Sequence, residues 1–444
     1  MKDKFGVKHA VFFYCLSRVF NLKSISELSR LCIERCFQMV AESDDFQELD
    51  FLFVKKILSS NELNVDSELE IFSAVKLWVM HNVKDRSKYS TDLLSTVRFK
   101  LLSDHALNYI LKESSCFCSS GVCNDIIKHA LVDNSQLNPE KSSSKARQCN
   151  QNNFDVVVCG SVNKSWKRYD KGLYFVEPNS METTRKDNLQ SKDRIRAENL
   201  FCIRGEIYAL SSYYSNYKLV ISVDKYVQTT SEWKKLADMN KNRIFYCTCS
   251  FMGEIFTMAG IFVNSTNSCV KFNVKDKIWV EIANLIEGRE YAACAVYKGR
   301  IVVSGGHSGR DSVSLNTVEA YDHVADAWTP MTSMVEARSY HKTVAFRNKL
   351  FVLGGNSATM EVFDSDKFAL LKPSTETLLN NFYLRRPTGA FLIEDKIFVF
   401  KNERKSVLVY DVIEGKWMLK SCQITKNLEG LCCVKFPKLE VSTF

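Results

Sequence analysis

Four arginines recur at nearly even spacing along the second half of the chain. Each stands 12 residues before an apolar position of strand type: Arg243 before Ile255, Arg289 before Ile301, Arg338 before Leu350, and Arg385 before Ile397. An arginine side chain presents a planar fork of N–H donors that can bind a carboxylate through two parallel hydrogen bonds. The row therefore indicates either a surface for acidic groups or an architectural position that recurs in every unit.

The arginines belong to a longer repeat. In each unit the arginine precedes two strand-like runs separated by a tight turn, and an aromatic residue then precedes a tryptophan by seven positions. These pairs are Tyr226 with Trp233, Phe272 with Trp279, Tyr321 with Trp328, and Tyr410 with Trp417. One unit departs from the pattern, because Leu370 stands seven residues after Phe363. A period of roughly 45 to 50 residues with four short strands is typical of a propeller blade.

The spacing of the second strands predicts six blades. These strands fall at 154–159, 207–210, 255–259, 301–304, 350–353 and 396–400. The first blade lacks an inner strand upstream, whereas the C-terminal run 431–436 has the character of an inner strand without a blade of its own. We predict that 431–436 pairs with 154–159 and closes the ring, because closure removes the last open sheet edges.

The first part of the chain has helical periodicity instead. Between residues 9 and about 131 apolar side chains recur with helical spacing, as in the stripe formed by Ile71, Val75, Trp78 and Val79. A polar stretch without periodicity follows. The predicted fold is therefore α + β and multidomain: an N-terminal all-α helical domain at 1–131, a linker at 132–152, and a six-bladed all-β propeller at 153–444.

Composition narrows the function classes. The formal charge of +9 over 444 residues comes from scattered Lys and Arg, which does not favour a nucleic-acid partner. No apolar run is long enough to predict a membrane span. The 16 cysteines are spread through the chain, many at apolar strand positions, which favours buried reduced thiols and an intracellular protein. No nucleotide loop, nucleophile elbow or standard metal-ligand spacing occurs, so we expect no catalysis, cofactor or metal.

Two stretches resemble a known family. The residues at 57–79 and 93–102 strongly resemble the BACK domain of kelch-like proteins. Gly305-Gly306, the run Glu319-Ala320-Tyr321-Asp322 and Trp328 resemble kelch repeats. Together the resemblance covers about residues 9–436. Kelch-like proteins normally carry a BTB domain ahead of BACK, and we expect that domain to be missing here because so few residues precede the first predicted helix.

The resemblance implies a partner-binding face at the propeller mouth. It assigns eight candidate partner-binding residues: Arg243, Arg289, Arg338, Arg385, Tyr291, Tyr340, His307 and Asn356. An acidic peptide segment of a client protein is the expected ligand. Two alternatives stay open, namely that the arginines bond carbonyl groups and hold the ring together and that the tyrosines pack in the core.

The resemblance also implies a role. The leading hypothesis is a cytoplasmic, non-catalytic substrate-recognition adaptor of a cullin-3 RING ubiquitin ligase, with cullin binding weakened by the expected loss of BTB. A second hypothesis is a scaffold whose propeller binds actin. A third is a competitor that binds substrates without delivering them.

Overall fold

A computed structural model describes residues 9–117 except 103 and 115, residues 125 and 127–128, and most of 154–437. Within that last stretch the gaps are 164–168, 177–182, 186–195, 216–217, 228–229, 231, 262–265, 309–312, 347–348, 365, 372–383, 394, 401–405 and 422–427. Residues 154–198 and 421–437 are described by their backbone alone. The predicted linker at 132–152 lies outside the described residues.

The N-terminal region is helical, as its periodicity predicts. Its helices are α1 (Ala10–Val19), α2 (Lys23–Arg35), α3 (Phe37–Ala41), α4 (Asp44–Gln47), α5 (Phe51–Leu58), α6 (Glu68–His81), α7 (Val83–Arg86), α8 (Ser90–Leu94) and α9 (Asp104–Ser114). The stripe predicted on α6 is buried in the helical core. No helix among the described residues is both long and apolar enough to cross a membrane.

Local chemistry explains where α6 begins. The Ser67 hydroxyl accepts a hydrogen bond from the Leu69 N–H at 3.3 Å. The Glu70 carboxylate accepts one from the Asp66 N–H at 3.0 Å. This arrangement resembles a capping box, in which a hydroxyl and an acidic side chain satisfy N–H groups that the first helical turn leaves unpaired. The helix therefore starts at a position that the sequence itself marks.

From residue 154 onward the regular secondary structure consists of strands. In chain order these are β1 (Phe154–Asn163), β2 (Tyr169–Val176), β3 (Thr183–Arg185), β4 (Arg196–Ile203), β5 (Glu206–Ser215), β6 (Lys218–Val227), β7 (Glu232–Asp238), β8 (Cys247–Phe251), β9 (Glu254–Met258), β10 (Cys269–Asn273), β11 (Ile278–Ile282), β12 (Arg289–Glu290), β13 (Ala293–Tyr297), β14 (Arg300–Ser304), β15 (His307–Ser308), β16 (Val318–Asp322), β17 (Ala327–Met331), β18 (Lys342–Phe346), β19 (Lys349–Leu353), β20 (Met360–Asp364), β21 (Lys367–Leu371), β22 (Gly389–Ile393), β23 (Lys396–Phe400), β24 (Ser406–Asp411), β25 (Lys416–Ser421) and β26 (Leu428–Pro437).

These strands build a β-propeller. Five four-stranded sheets follow chain order: sheet 2 (β4 to β7), sheet 3 (β8 to β11), sheet 4 (β13, β14, β16, β17), sheet 5 (β18 to β21) and sheet 6 (β22 to β25). Sheet 1 is composite, because β26 joins β1, β2 and β3. The structure therefore contains five blades of chain-ordered strands, not six, and the prediction of six blades is met only in part.

The composite sheet has the predicted pairing. Strand β26 pairs antiparallel with β1, with Cys432 opposite Cys159 and Phe436 opposite Asp155. The first strand of each chain-ordered sheet contacts that of the next, and β26 contacts both β22 and β4. Strands from the two ends of the region thus meet in one sheet.

The aromatic pairs of the repeat lie across paired strands. Tyr321 stands opposite Trp328, and their ring centroids are 5.1 Å apart. The Trp328 Nε1–H donates to the Ala283 carbonyl of the preceding sheet at 2.9 Å, so this side chain joins two blades. In sheet 5 the residue opposite Phe363 is Phe368, at 4.9 Å, and Leu370 is exposed. The connection between β20 and β21 is two residues shorter, which moves the aromatic position from 370 to 368.

The helical domain contacts one face of the propeller through the turns that end the first strands of sheets 2, 3 and 4. Each turn has two residues with positive φ, and the pairs are Arg204-Gly205, Met252-Gly253 and Lys298-Gly299. Tight hairpin turns favour this geometry, and glycine adopts it without strain. A Cβ atom on Gly253 would lie 2.9 Å from the Gln38 side chain, so the glycine also permits close approach.

A hydrogen bond and an ion pair connect the helical domain to the propeller. The Asp66 carboxylate accepts a hydrogen bond from the Met252 N–H at 3.0 Å. Arg204 pairs with Glu42 at 2.7 Å. Met252 also packs against the helical core. The first strand of each of these sheets ends at one of the three turns. The helical domain therefore lies on the propeller face where these strands end, and the strands begin at the opposite face.

Candidate functional site

Three of the four predicted arginines are buried. Arg243, Arg289 and Arg338 are 1%, 0% and 0% exposed. In each, Nη1 donates to the carbonyl of the residue 16 positions later, which is Ala259 at 3.1 Å, Gly305 at 2.8 Å and Gly354 at 2.9 Å, respectively. Their guanidinium groups cannot reach a partner. The prediction that these three bind acidic groups of a client is therefore corrected: they are architectural.

Buried carboxylates complete two of these arginine sites. Arg289 Nη2 donates to Glu319 at 2.6 Å, and Arg338 Nε donates to Glu361 at 3.0 Å. The arginine backbone also joins neighbouring sheets, because the Arg338 carbonyl accepts a hydrogen bond from the Gly306 N–H at 2.8 Å. Arg243 has no such carboxylate among the described residues, and burial lowers the pKa of its guanidinium. The sequence did not identify these glutamates as partners of the arginines, although both stand three residues before an Asp.

The fourth predicted arginine lies one residue out of register. The Gly355 N–H donates to the Leu384 carbonyl at 2.9 Å, just as Gly306 donates to Arg338. Leu384 is buried and Arg385 is exposed. Strand β22 begins five residues after Leu384, whereas β18 begins four residues after Arg338. The extra residue explains why spacing to the strand selected Arg385, while Leu384 occupies the arginine position.

The position two residues after each buried arginine forms a continuous stack. Ring centroids of Phe245 and Tyr291 are 4.1 Å apart, and those of Tyr291 and Tyr340 are 4.0 Å apart. We call these three rings the aromatic belt. The guanidinium carbon of Arg386, two residues after Leu384, lies 4.4 Å from the Tyr340 centroid and extends the stack. Residues from four successive sheet regions, far apart in sequence, thus meet at the propeller mouth.

The belt has an unusual backbone. Phe245, Tyr291, Tyr340 and Arg386 all have left-handed φ values, between 52° and 59°. That conformation costs a residue with a Cβ atom about 1–2 kcal/mol. Hydrogen bonds hold it in place, because the Tyr291 N–H donates to the Phe245 carbonyl at 2.8 Å and the Tyr340 N–H to the Tyr291 carbonyl at 3.0 Å. Strain repeated at one end of a fold is typical of a functional surface.

Comparisons with known proteins agree with this architecture. Residues 10–112 match the family model described as BACK, BTB And C-terminal Kelch, and residues 288–335 match the Kelch motif. Mouse Kelch-like protein 28 is 23% identical over 283 residues, which cover 62% of this chain and 41% of the relative. Rat Kelch-like protein 24 is 24% identical over 307 residues, covering 68% and 42%. The chain is thus similar to kelch-like proteins in both its helical part and its propeller.

A shorter match is more similar. Human Kelch repeat and BTB domain-containing protein 3 is 34% identical over 99 residues, covering 22% of this chain and 16% of the relative. The chain thus spans less than half the length of the kelch-like relatives it matches. A kelch propeller and a BACK region together support a protein-binding role.

The other candidate partner-binding residues lie beside the belt. His307 is partly exposed and meets Tyr291 and Tyr340 edge-on, at 5.7 Å and 5.6 Å. Asn356 is exposed, but its amide is engaged, because Oδ1 accepts from the Ser339 N–H at 3.2 Å and Nδ2 donates to Ser314 at 3.1 Å. Asn356 thus braces neighbouring loops, whereas His307 supports the rings.

The belt presents aromatic surface that can contact a partner. Burial and a hydrogen bond to Tyr340 raise the pKa of Tyr291, so its hydroxyl stays protonated near neutral pH. No group of three or more His, Cys, Asp or Glu among the described residues is placed to hold a metal ion. The sequence does not mark Arg386, because this residue is not aromatic and stands two residues after Leu384 and not two residues after an arginine.

Proposed function

We propose that this chain is a non-catalytic protein-capture subunit that binds a client at the propeller mouth. The observation that carries the proposal is the belt: rings from three sheets are stacked and partly exposed at a strained, repeated position. Rigid aromatic side chains supply large contact areas with little loss of conformational entropy on binding. The helical domain contacts the opposite face, so it leaves the mouth accessible.

We further infer that the composite sheet serves as a sixth blade and closes the ring. The contacts of β26 with both β22 and β4 support this. Closure would fix the relative positions of Phe245, Tyr291 and Tyr340, since no open sheet edge would remain at which neighbouring blades could separate. The belt would then be preorganised before the client arrives.

The expected preference for acidic segments now rests on Arg386. Its guanidinium stacks on Tyr340, and it forms no ion pair with a carboxylate among the described residues, in contrast to Arg338, which binds Glu336 at 2.8 Å. A stacked guanidinium retains its edge N–H donors for a carboxylate of the client. The exposed neighbour Arg385 can add charge to the same rim.

Its kelch-like relatives suggest the wider role. In this proposal the chain is a cytoplasmic substrate-recognition adaptor of a cullin-3 RING ubiquitin ligase, and the helical domain positions the client for ubiquitin transfer. The fixed contact between the domains supports this, because it would hold the mouth at one orientation. An actin-binding scaffold and a competitor that retains substrates without delivering them are the alternatives.

Proximity labelling tests client capture at the belt. The variant carries Tyr291→Asn and Tyr340→Asn, because asparagine removes the ring and tolerates left-handed φ. The control carries Ile413→Asn, at an exposed residue in the turn between β24 and β25. We expect the belt variant to lose specific preys that the control retains. Identical preys from both variants would refute the site.

Two further assays separate the wider roles. Enrichment of cullin-3 in a pull-down supports the adaptor, and sedimentation with actin filaments supports the scaffold. Client capture with neither, together with higher client levels on overexpression, supports the competitor.

A further inference from the structure

Two glutamates compensate the buried arginine of sheet 4, and two others compensate that of sheet 5. One glutamate stands two residues before the arginine, and the other lies on the third strand of the sheet. The pairs are Glu287 and Glu319 around Arg289, and Glu336 and Glu361 around Arg338. Each of these buried guanidinium groups therefore has its counter-charge within the protein.

Sheet 3 carries other residue types at both positions. Lys241 stands two residues before Arg243, so a cation replaces the first glutamate. Val270 takes the second position. The carbonyl two residues before Val270 accepts from Arg243 Nη1, just as the carbonyl two residues before Glu319 accepts from the arginine of sheet 4. A valine side chain ends at the atoms that precede the carboxylate of a glutamate, so Arg243 meets neither of the carboxylates that its counterparts bind.

Three buried polar groups around sheet 3 have no hydrogen-bond partner among the described residues. They are Nη2 of Arg243, the hydroxyl of Ser268 and the hydroxyl of Thr257. These residues are 1%, 6% and 0% exposed, respectively. Thr257 stands opposite Val270 on the neighbouring strand, so both side chains lie on one face of the sheet. In sheet 4 the guanidinium and the hydroxyl at the first two of these positions both donate to Glu287. What the three groups of sheet 3 share is a donor without an acceptor.

The thiols that face Arg243 do not supply the missing negative charge. Burial raises the pKa of Cys269 to about 12, and a hydrogen bond with Cys294 together with burial raises the pKa of Cys247. Both thiols are therefore neutral near pH 7. Burial also lowers the pKa of Arg243, yet an arginine side chain keeps its proton in a protein. A buried positive charge of this kind is costly until an anion joins it.

We propose that sheet 3 binds a small monovalent anion, chloride being the abundant candidate, between Nη2 of Arg243 and the hydroxyls of Ser268 and Thr257. The guanidinium is already held between the second and third strands, because Nη1 donates to the carbonyls of Ala259 and Ser268. The anion takes the place that the second carboxylate has in sheets 4 and 5. A single ion suits a site of this size and burial, whereas a side chain of a client cannot reach it.

The site also adjoins the segment that leads to the aromatic belt. Arg243 stands two residues before Phe245, and its Nε donates to the Lys241 carbonyl at 3.4 Å. An anion that compensates Arg243 would therefore stabilise the propeller at the position from which Phe245 reaches Tyr291. The inference does not depend on the identity of the client.

Thermal unfolding of the full chain tests the site. The melting temperature is measured in sodium chloride and in sodium gluconate at matched concentrations, because gluconate is too large for a buried site. We expect chloride to raise the melting temperature in a saturable way, by about 3 to 6 °C once its concentration exceeds the dissociation constant about tenfold. Quadrupolar broadening of the chloride NMR signal reports the same binding directly at a temperature where the chain is folded.

A matched pair of valine variants assigns the effect to Arg243. Val270→Glu restores the carboxylate of sheets 4 and 5, so it should remove both the chloride dependence of melting and the NMR broadening. Val280→Glu places the same charge at an exposed position of the same sheet and should retain both. Thr257→Val removes one donor without a change of shape and should weaken chloride binding by about tenfold.

The outcomes that overturn the proposal are specific. Equal melting temperatures in the two salts, together with a chloride signal that the parent chain does not broaden, would show that no such ion binds. A chloride effect that persists at full strength in both Val270→Glu and Thr257→Val would place the ion elsewhere. Where Val270→Glu proves too unstable to measure, Thr257→Val decides the question, because it replaces one buried side chain with another of nearly the same volume.

Discussion

A buried guanidinium is costly unless its donors find acceptors, and Arg289 and Arg338 meet that demand at the same repeated position. Removing such a charge from water costs several kcal/mol, which good hydrogen-bond geometry must offset. Arg338 meets the carbonyls of Gly354 and Thr359 and the carboxylates of Glu336 and Glu361. The side chain that first suggests ligand binding therefore holds together the strands of its own blade.

Replacing Arg338 should destabilise the propeller strongly. In Arg338→Met, the buried carboxylate of Glu361 loses its cation, and we expect a loss of about 3–5 kcal/mol in the free energy of unfolding. Chemical denaturation measures this directly. Arg385→Met is the control and should change stability by less than about 0.5 kcal/mol, because that side chain is exposed. Equal denaturation midpoints for the two variants would contradict an architectural role.

His341 should make stability sensitive to acid. It is fully buried beside Arg338 and hydrogen-bonds with Ser304 at 2.9 Å; burial and the nearby cation lower its pKa to about 3. The unfolded histidine titrates near pH 6.5. Between these values the unfolded chain binds the extra proton, so stability falls as pH decreases, by up to about 1.4 kcal/mol per pH unit.

Urea denaturation between pH 7 and pH 4.5 measures the dependence, and His341→Gln is the comparison. The variant should show a shallower slope, since its amide does not titrate. Parallel slopes for the two proteins would show that other groups account for the acid sensitivity.

At the scale of elements, equivalent positions in the paired strands are preserved between blades even where the residue type changes. Phe368 replaces the tryptophan of other blades because a shorter turn moves the position opposite Phe363. Leu384 replaces an arginine because an extra residue precedes β22. In both places the backbone pairing is preserved while the spacing in sequence shifts. Strand register, and not residue count, therefore defines the repeat.

Strand β26 should be essential for the stability of the propeller. Deleting residues 430–444 removes most of the strand that pairs with β1 and leaves that edge open. We expect the melting temperature to fall by at least about 10 °C, on the basis that each kcal/mol corresponds to a few degrees in domains of this size. Deleting residues 438–444 alone is the control, because it leaves β26 intact. An unchanged melt of the longer deletion would refute closure through β26.

At the scale of the whole molecule, two domains meet through glycine turns. Gly205, Gly253 and Gly299 combine a left-handed backbone with close neighbours from the helical domain. The contact sits at the ends of first strands that begin near the belt. A five-residue strand such as β8 spans roughly 17 Å. The mouth is therefore separated from the helical domain by about the length of one such strand.

A matched pair of glycine variants tests the contact between the two domains. Gly253→Ala and Gly415→Ala both place alanine at positive φ, 75° and 66°, and should incur a similar strain of about 1 kcal/mol. Only the first places a Cβ atom against Gln38, whereas Gly415 has its nearest neighbour at 4.0 Å. Calorimetry should show a somewhat larger fall in melting temperature in Gly253→Ala than in Gly415→Ala, because only Gly253→Ala requires the Gln38 side chain to move at the contact between the domains.

The double variant Gly253→Ala, Gln38→Ala should recover part of this difference in melting temperature, because the smaller side chain removes the close contact. Identical calorimetric traces for all three variants would show that the close approach of Gln38 to Gly253 contributes nothing to stability.

The amino-acid sequence alone determined the elements and their order. The helical stripe of α6 and the strands around 255, 301 and 350 could be predicted, because periodic apolar residues report which face of an element is buried. The pairing of β26 with β1 could be predicted because the first blade lacks an inner strand upstream and the C-terminal strand has no blade of its own. The repeat unit followed from the same information. Patterns of this kind are local, or recur at a fixed period, and so can be recognised without coordinates.

Only the tertiary structure decided which repeated positions face solvent. Spacing showed that the positions of Arg289 and Tyr291 recur in successive units. It could not show that the guanidinium is buried inside the blade, nor that the ring two residues later stacks on rings from neighbouring blades. That outcome depends on distances between sheets brought together by ring geometry. The buried glutamate partners, Arg386 at the end of the stack and the contact between the domains emerge for the same reason: each joins residues that no local pattern relates.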